Sequence, residues 1–134
     1  RMARLVNDSK PLFVLNKVNE VVQSTGRDIS ELSIACLGIA FKPNIDDLRE
    51  SPALNIARKI GALGFKSIFL VEPNINHLPS GFNIDNSELV GLERAIKDAE
   101  IVILLVDHAS FISMDLSLLS GKQVIDTRGI WSNK

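Results

Sequence analysis

Three short apolar runs, separated by stretches with helical spacing and followed by a final short stretch, Gln123–Asp126, most constrain the fold of this 134-residue chain. Nearly continuous apolar runs of this length are typical of parallel strands that are buried on both faces. Strands that alternate with helices form right-handed βαβ units, and therefore a parallel sheet. We predict an α/β fold, a Rossmann-like parallel sheet with helices on both faces. The predicted strands are residues 32–38, Ser67–Val71, 101–106 and Gln123–Asp126.

One long N-terminal helix is predicted before the first strand, because apolar residues recur with helical spacing within residues 1–24. A second helix is expected after the first strand. Ser51 is a suitable N-cap for it, Pro52 suits its first position, and Gly64 is its expected C-cap. The apolar positions are Leu5, Leu12, Leu15, Val18 and Val22 in the first helix, and Leu54, Ala57, Ile60 and Leu63 in the second.

Two further helices are predicted in the second half of the chain. Residues 74–86 are polar and rich in turn formers, so no element is expected there. A helix follows them, with Glu88 and Glu93 near its positive end. Residues 115–119 are predicted to form a short helix. The apolar positions of the longer helix are Leu92, Ala95, Ile96 and Ala99.

Charge and composition exclude several classes of protein. The 15 basic and 16 acidic residues give a net charge of -1, which offers no electrostatic basis for binding nucleic acid or an anionic membrane. A single cysteine excludes an internal disulfide and a cysteine-based metal site. No apolar run approaches the roughly 20 residues that span a bilayer, so we expect a cytoplasmic protein. The chain opens on Arg1 within a helical pattern, and we expect it to be a piece of a longer polypeptide.

Cations follow the first and last predicted strands, where parallel sheets bind their ligands. Lys42 and Arg49 lie in the segment that leads into a helix N-terminus, where anions are favoured. Arg128 follows the last strand, so all three should meet at one edge and suit a phosphorylated ligand. The alternative is that each is an ordinary solvated charge. No GxGxxG pattern follows the first strand, so this is not the usual dinucleotide-binding half.

The other reactive side chains have structural interpretations. Cys36 lies within an apolar run, which favours a packed thiol over a nucleophile. His108 follows the third predicted strand, where it could line a pocket, although a hydrogen-bonded structural role is favoured. Asp46 and Asp47 are expected to pair with a neighbouring arginine or to cap a turn, and His77 is expected to be exposed.

The segment GIAFKPNIDDLRESPA, residues 38–53, resembles the signature that opens the C-terminal domain of the UDP-glucose/GDP-mannose dehydrogenase family. The main departure is Ile45, where the family commonly has threonine or serine. Residues 126–129, DTRG, are similar to the family's final element. The opening of the chain, with Pro11, resembles the helix that joins the family's central dimerisation region to its last domain.

This resemblance implies an activity and a set of site residues. The family's enzymes use NAD in two steps to oxidise the C6 alcohol of a nucleotide sugar to a carboxylate, through a thiohemiacetal on a cysteine. That cysteine and the NAD-binding domain have no match here, so we expect no catalytic residue and no activity of the chain alone. Phe41, Lys42 and Arg128 match positions that bind the UDP-sugar, and Arg49 matches an arginine that reaches NAD. No metal site is implied.

The resemblance also implies a domain division and partners. Residues 1–30 would be the end of the helical linker and dimerisation region, and residues 31–134 the UDP-sugar-binding domain. The implied partners are a UDP-sugar, the rest of the same polypeptide and, for the full-length enzyme, a second copy in a homodimer. Neither nucleic acid nor a membrane is implied.

Three short stretches are similar to UDP-N-acetylmannosamine dehydrogenases within the family. They are residues 43–48, 71–74 and 106–108; UDP-glucose enzymes tend to have Thr-Glu-Trp at the last place. The alternatives are a UDP-glucose 6-dehydrogenase or another UDP-hexose dehydrogenase, and a stand-alone nucleotide-binding or oligomerisation module without chemistry. A flavodoxin-like signalling domain is a weaker alternative.

Overall fold

Five parallel strands form one sheet in the computed structural model, which describes residues 10–39, 52–72, 86–106 and 108–127. The strands are β1 Ser33–Leu37, β2 Ser67–Val71, β3 Ser87–Leu89, β4 Ile101–Leu104 and β5 Gln123–Asp126. They are hydrogen-bonded in the order β3-β2-β1-β4-β5, so β1 is central and the chain order reverses between β1 and β4. This is a Rossmann-like arrangement, and the predicted fold class is confirmed.

Helices connect and flank these strands in the described ranges. The α-helices are α1 Lys10–Ser24, α2 Pro52–Gly61, α3 Leu92–Asp98 and α4 Ala109–Ile112, and the 3-10 helices are Ile29–Glu31 and Leu116–Leu119. The predicted first helix is confirmed from Lys10 onward, and residues 1–9 of that prediction lie outside the described residues. The second helix ends at Gly61, earlier than predicted. Gly64, with a φ of 107°, turns the chain toward β2 beyond that end.

Both faces of the sheet are covered, because alternate residues of a strand point to opposite sides. Along β1, Ile34 and Cys36 pack into a core with α1 and α2. Ala35 and Leu37 pack into a second core with α3 and α4. Every residue of β1 is buried. Burial on both faces is the physical reason why this strand is a nearly continuous apolar run.

The N-terminal helix α1 packs on one face of the sheet and contacts β5. Its buried residues Val14, Val18 and Val22 share a core with Ile103 of β4 and Ile125 of β5. The helix also packs against α2. Its buried side therefore belongs to the core of the sheet. The domain boundary predicted after residue 30 stays a prediction.

Three of the described elements are not predicted by the sequence pattern: β3, α4 and the 3-10 helix Ile29–Glu31. Each is too short for a helical or strand period to be recognised. Glu88, predicted near the positive end of α3, lies in β3, where its carboxylate is 3.1 Å from the guanidinium of Arg94. The short helix predicted at residues 115–119 is the 3-10 helix Leu116–Leu119, which Asp115 caps by accepting a backbone N–H.

Candidate functional site

The carboxyl ends of the strands meet at one edge of the sheet, which we call the carboxyl edge. Gly38, directly after β1, donates its N–H to the backbone oxygen of Val71 in β2 at 2.7 Å. On the other side of β1, the N–H of Leu105 donates to the oxygen of Leu37 at 2.9 Å. Parallel α/β sheets bind ligands at this edge, where the chain order reverses. The segment 40–51 therefore begins where a ligand is expected.

Gly38 is required where the end of β1 approaches the end of β4. Its φ of 95° lies in the region that L side chains rarely adopt. A Cβ at this position would lie 2.6 Å from Val106 Cβ and 3.0 Å from Val106 N. One of these atoms is the first side-chain carbon and the other is a backbone atom. Neither can move aside as the end of a flexible side chain could. The glycine allows the two strand ends to approach closely.

A buried glutamate and a buried histidine join three strand ends at this edge. Glu72 follows β2 and His108 follows β4, and His108 Nε2 lies 3.0 Å from both carboxyl oxygens of Glu72. The Oε1 atom of Glu72 also accepts the N–H of Ile39, two residues after β1, at 2.9 Å. Glu72 is 3% exposed and His108 is 1% exposed. Such burial is tolerated because the polar groups are paired.

His108 also shapes the chain that follows β4. Its backbone oxygen accepts the N–H of Phe111 at 3.0 Å and that of Ile112 at 3.1 Å, which begins α4. Its ring meets the Phe111 ring edge-on, with centroids 5.4 Å apart. The prediction of a hydrogen-bonded structural histidine is confirmed. Its partner Glu72 was not predicted from the sequence, although both residues follow strands that flank β1 and so lie at the same edge.

Cys36 is a packed core thiol, as predicted. It lies in β1 with no exposed surface, and burial raises the pKa of its thiol to about 12. Only the thiolate is an effective nucleophile, so burial keeps Cys36 inert near neutral pH.

The predicted binding residues lie outside the described residues, whereas their neighbours at the carboxyl edge are described. Outside are Phe41, Lys42, Asp46, Asp47, Arg49, His77 and Arg128. Leu37 at the end of β1 and Asp126 at the end of β5 are both in register with Leu104 of β4. Next to Asp126, Thr127 donates its N–H at 3.3 Å and its hydroxyl at 2.6 Å to the oxygen of Leu104. The chain thus leaves β1 and β5 at the same level, on the two sides of β4.

Features away from the carboxyl edge offer weaker candidates. Among the described residues, no group of three or more His, Cys, Asp or Glu side chains could hold a metal ion. No helix in those ranges is both long enough and apolar enough to cross a membrane. A cleft beside α3 is lined by Glu93, Ile96, Lys97, Leu118 and Lys122. The ammonium of Lys122 donates to the oxygen of Ala99 at 2.7 Å, so it stabilises the C-terminal end of α3.

The sequence profile of the UDP-glucose/GDP-mannose dehydrogenase family, UDP binding domain, matches residues 35–133. The chain belongs to this family. The matched residues begin within β1 and include the carboxyl edge described above. The family resemblance of residues 38–53 is therefore confirmed.

Curated relatives match 98–100% of this chain. The NDP-N-acetyl-D-galactosaminuronic acid dehydrogenase of Ralstonia solanacearum is 46% identical over 134 residues, which is 100% of this chain and 30% of the relative. The UDP-N-acetyl-D-mannosamine dehydrogenase of Escherichia coli strain K12 is 42% identical over 135 residues, covering 98% of this chain and 32% of the relative. The chain thus spans about a third of the length of these relatives.

Solved structures of family members share the fold. The UDP-D-ManNAc dehydrogenase of Pyrococcus horikoshii superposes with a TM-score of 0.74 at 27% identity, covering 97% of this chain and 29% of that one. The UDP-glucose dehydrogenase of Pyrobaculum islandicum superposes with a TM-score of 0.78 at 24% identity, covering 94% and 28%. The second likeness shows the fold alone.

Proposed function

We propose that this chain is the nucleotide-sugar-binding domain of an NAD-dependent dehydrogenase that oxidises the C6 alcohol of UDP-N-acetylmannosamine to the carboxylate. The observation that carries the proposal is the geometry of the carboxyl edge in a chain of this family. Two segments with predicted phosphate-binding cations begin there, after β1 and after β5, at the point where the chain order reverses. Cations at such an edge suit the diphosphate of a nucleotide sugar.

The proposed roles of the site residues follow the family pattern. Lys42 and Arg128 pair with the UDP-sugar by charge, and Phe41 contacts it through its backbone or ring. Arg49 reaches toward NAD. Asp47, two residues before Arg49, orders the segment instead of contacting a ligand. The chain supplies one wall of the binding cleft and no catalytic residue in this proposal.

The oxidation itself is proposed to need further residues of a longer polypeptide. The relatives at 46% and 42% identity are about three times as long as this chain, which leaves room for an NAD domain and a catalytic cysteine. We infer that NAD is bound mainly by that other region, that the complete protein is a homodimer, and that it acts in the cytoplasm. The 134-residue chain alone is then expected to bind UDP weakly, since a single wall of a shared cleft is poorly preorganised.

A second candidate substrate is UDP-N-acetylgalactosamine. The relative at 46% identity is named for N-acetylgalactosaminuronic acid, whereas the relative at 42% is named for N-acetylmannosamine. Both names refer to an N-acetylated amino sugar, which favours an N-acetylated substrate over UDP-glucose. The alternative from a different functional class is a nucleotide-binding module without catalytic activity.

Nitrogen-15 NMR titration of the chain with UDP tests the binding proposal. Saturable shifts are expected at residues 39–49 and at residues 127–128, with a dissociation constant in the high micromolar range or weaker. Inorganic phosphate at equal concentration is the control, and it should give smaller shifts because it lacks the nucleoside. Shifts confined to α1, or none at all, would contradict the site.

NADH formation by a complete protein that contains this chain tests the reaction. UDP-N-acetylmannosamine, UDP-N-acetylgalactosamine and UDP-glucose are compared at equal concentration, and the N-acetylated sugars should be turned over fastest. The 134-residue chain alone serves as the control and should yield no NADH above a blank. A preference for UDP-glucose would contradict the proposed substrate. Turnover by the 134-residue chain alone would contradict the proposal that catalysis needs a longer polypeptide.

A further inference from the structure

The buried Glu72–His108 pair is given no role in the function proposed above. At 3% and 1% exposure, neither side chain is placed to contact a ligand in solution. Burying two ionisable groups is costly, and an apolar pair of similar volume is often as stable or more so. Fold stability alone therefore does not account for the pair. What an apolar pair could not supply is a hydrogen-bond acceptor for the N–H of Ile39.

Ile39 lies where the strand ladder of β1 has ended. The pairing of β1 with β2 stops at Leu37 and Val71, and the N–H of Gly38 already bonds the oxygen of Val71. The positive φ of Gly38 then turns the chain. The next N–H, that of Ile39, is accepted by Glu72 at 2.9 Å instead of by a strand. Glu72 thus holds the last described residue before the segment 40–51.

His108 holds the carboxyl group of Glu72 in turn. Its Nε2 lies 3.0 Å from both carboxyl oxygens, a contact that constrains the direction of the group. His108 is itself fixed by the first turn of α4 and by the edge-on contact with the ring of Phe111. The arrangement joins groups that are 33 and 36 residues apart in the chain, and it connects the ends of β1, β2 and β4.

We propose that Glu72 and His108 are positioning residues that fix the start of the segment 40–51 through the N–H of Ile39. The pair thereby orients the nucleotide-sugar contacts assigned to that segment. This inference rests on the proposed function, because it assigns the pair to the same site.

A double variant separates positioning from stability. Glu72→Met with His108→Phe replaces both polar groups by apolar ones of similar size, so neither group is left facing a removed partner, and the N–H of Ile39 loses the acceptor Glu72. The matched control is Glu100→Met. Glu100 Oε1 accepts the N–H of Ser33 at 2.8 Å, which is the same kind of bond at the opposite end of β1. The readouts are the melting temperature, UDP affinity and the amide shifts of residues 40–51 in the 134-residue chain.

If the pair positions the segment, the double variant binds UDP about tenfold more weakly or worse, while it stays folded. The Glu100→Met chain keeps its affinity within about twofold, because distant sites act independently. Equal UDP affinity in the folded double variant and in the unaltered chain would overturn the inference. If the unaltered chain binds no UDP, the proposed function fails instead. The amide shifts of residues 40–51 without ligand then test the positioning role. That role requires these shifts to change in the double variant and to stay the same in Glu100→Met.

A milder pair of variants covers the case in which the double variant does not fold. Glu72→Asp keeps a carboxyl group but withdraws it from Ile39 by one methylene, and Glu100→Asp is its matched control. The positioning role predicts weaker UDP binding and altered shifts of residues 40–51 for Glu72→Asp only. Glu72→Gln keeps an acceptor for the N–H of Ile39 and should restore most of the affinity. A Glu72→Gln chain as impaired as Glu72→Asp would contradict the role of the Ile39 bond.

Discussion

Replacing Gly38 with alanine is expected to destabilise the chain by about 1–4.5 kcal/mol. A φ of 95° costs an L residue roughly 1–2 kcal/mol. The new Cβ would lie 2.6 Å from Val106 Cβ, and relieving such an overlap in a packed region costs about 1–3 kcal/mol. Alanine also lowers the entropy of the unfolded chain, which offsets roughly 0.4–1 kcal/mol of the loss. The remainder is a large part of the stability of a domain this size.

Urea denaturation followed by circular dichroism would measure this loss, with Gly121→Ala as the control. Gly121 has a φ of 80°, but a Cβ there would meet nothing within 4 Å, so that variant reports backbone strain alone. The Gly121→Ala chain should lose only about 0–1.5 kcal/mol of stability. Equal losses in the two variants would refute the close approach of the β1 and β4 ends at Gly38. A larger loss for Gly38→Ala measures the overlap itself.

Further predictions concern the core thiol, the strand ends and the site. Cys36 should resist iodoacetamide in the native chain near pH 8 and react fully in denaturant, as followed by mass spectrometry. Because burial raises its pKa from 9.0 to about 12, its contribution to stability is complete below the unfolded pKa and is lost as the pH rises toward 12; urea midpoints unchanged over that range would contradict this. Thr127→Val removes the 2.6 Å bond to the oxygen of Leu104 and should cost about 1 kcal/mol in urea denaturation, whereas Thr127→Ser should keep most of it. In a complete protein, Lys42→Ala should raise the KM for the UDP-sugar and Arg49→Ala that for NAD, each by roughly 10- to 150-fold; small, equal effects would mean that both are solvated charges.

Much of the architecture could be predicted from local pattern. Burial on both faces makes a parallel strand apolar along its whole length, so β1, β2 and β4 were recognisable as runs. In β5 only Ile125 is buried. Helices α1, α2 and α3 show the spacing that burial of one face requires. The strand β3 has three residues, with none fully buried, and therefore leaves no period to detect. The site segments were identified by resemblance and by their place after strands, and their contacts stay predictions.

The sequence by itself determined the fold class, the family and the edge of the sheet at which a ligand is expected, because all three depend on patterns within short windows. Only the tertiary structure decided which side chains meet at that edge. Glu72 and His108 are 36 residues apart and become partners because β2 and β4 flank β1. The need for glycine at position 38 arises in the same way, from the approach of Val106 on another strand. Contacts of this kind are set by strand order, and no local window of the sequence contains both partners.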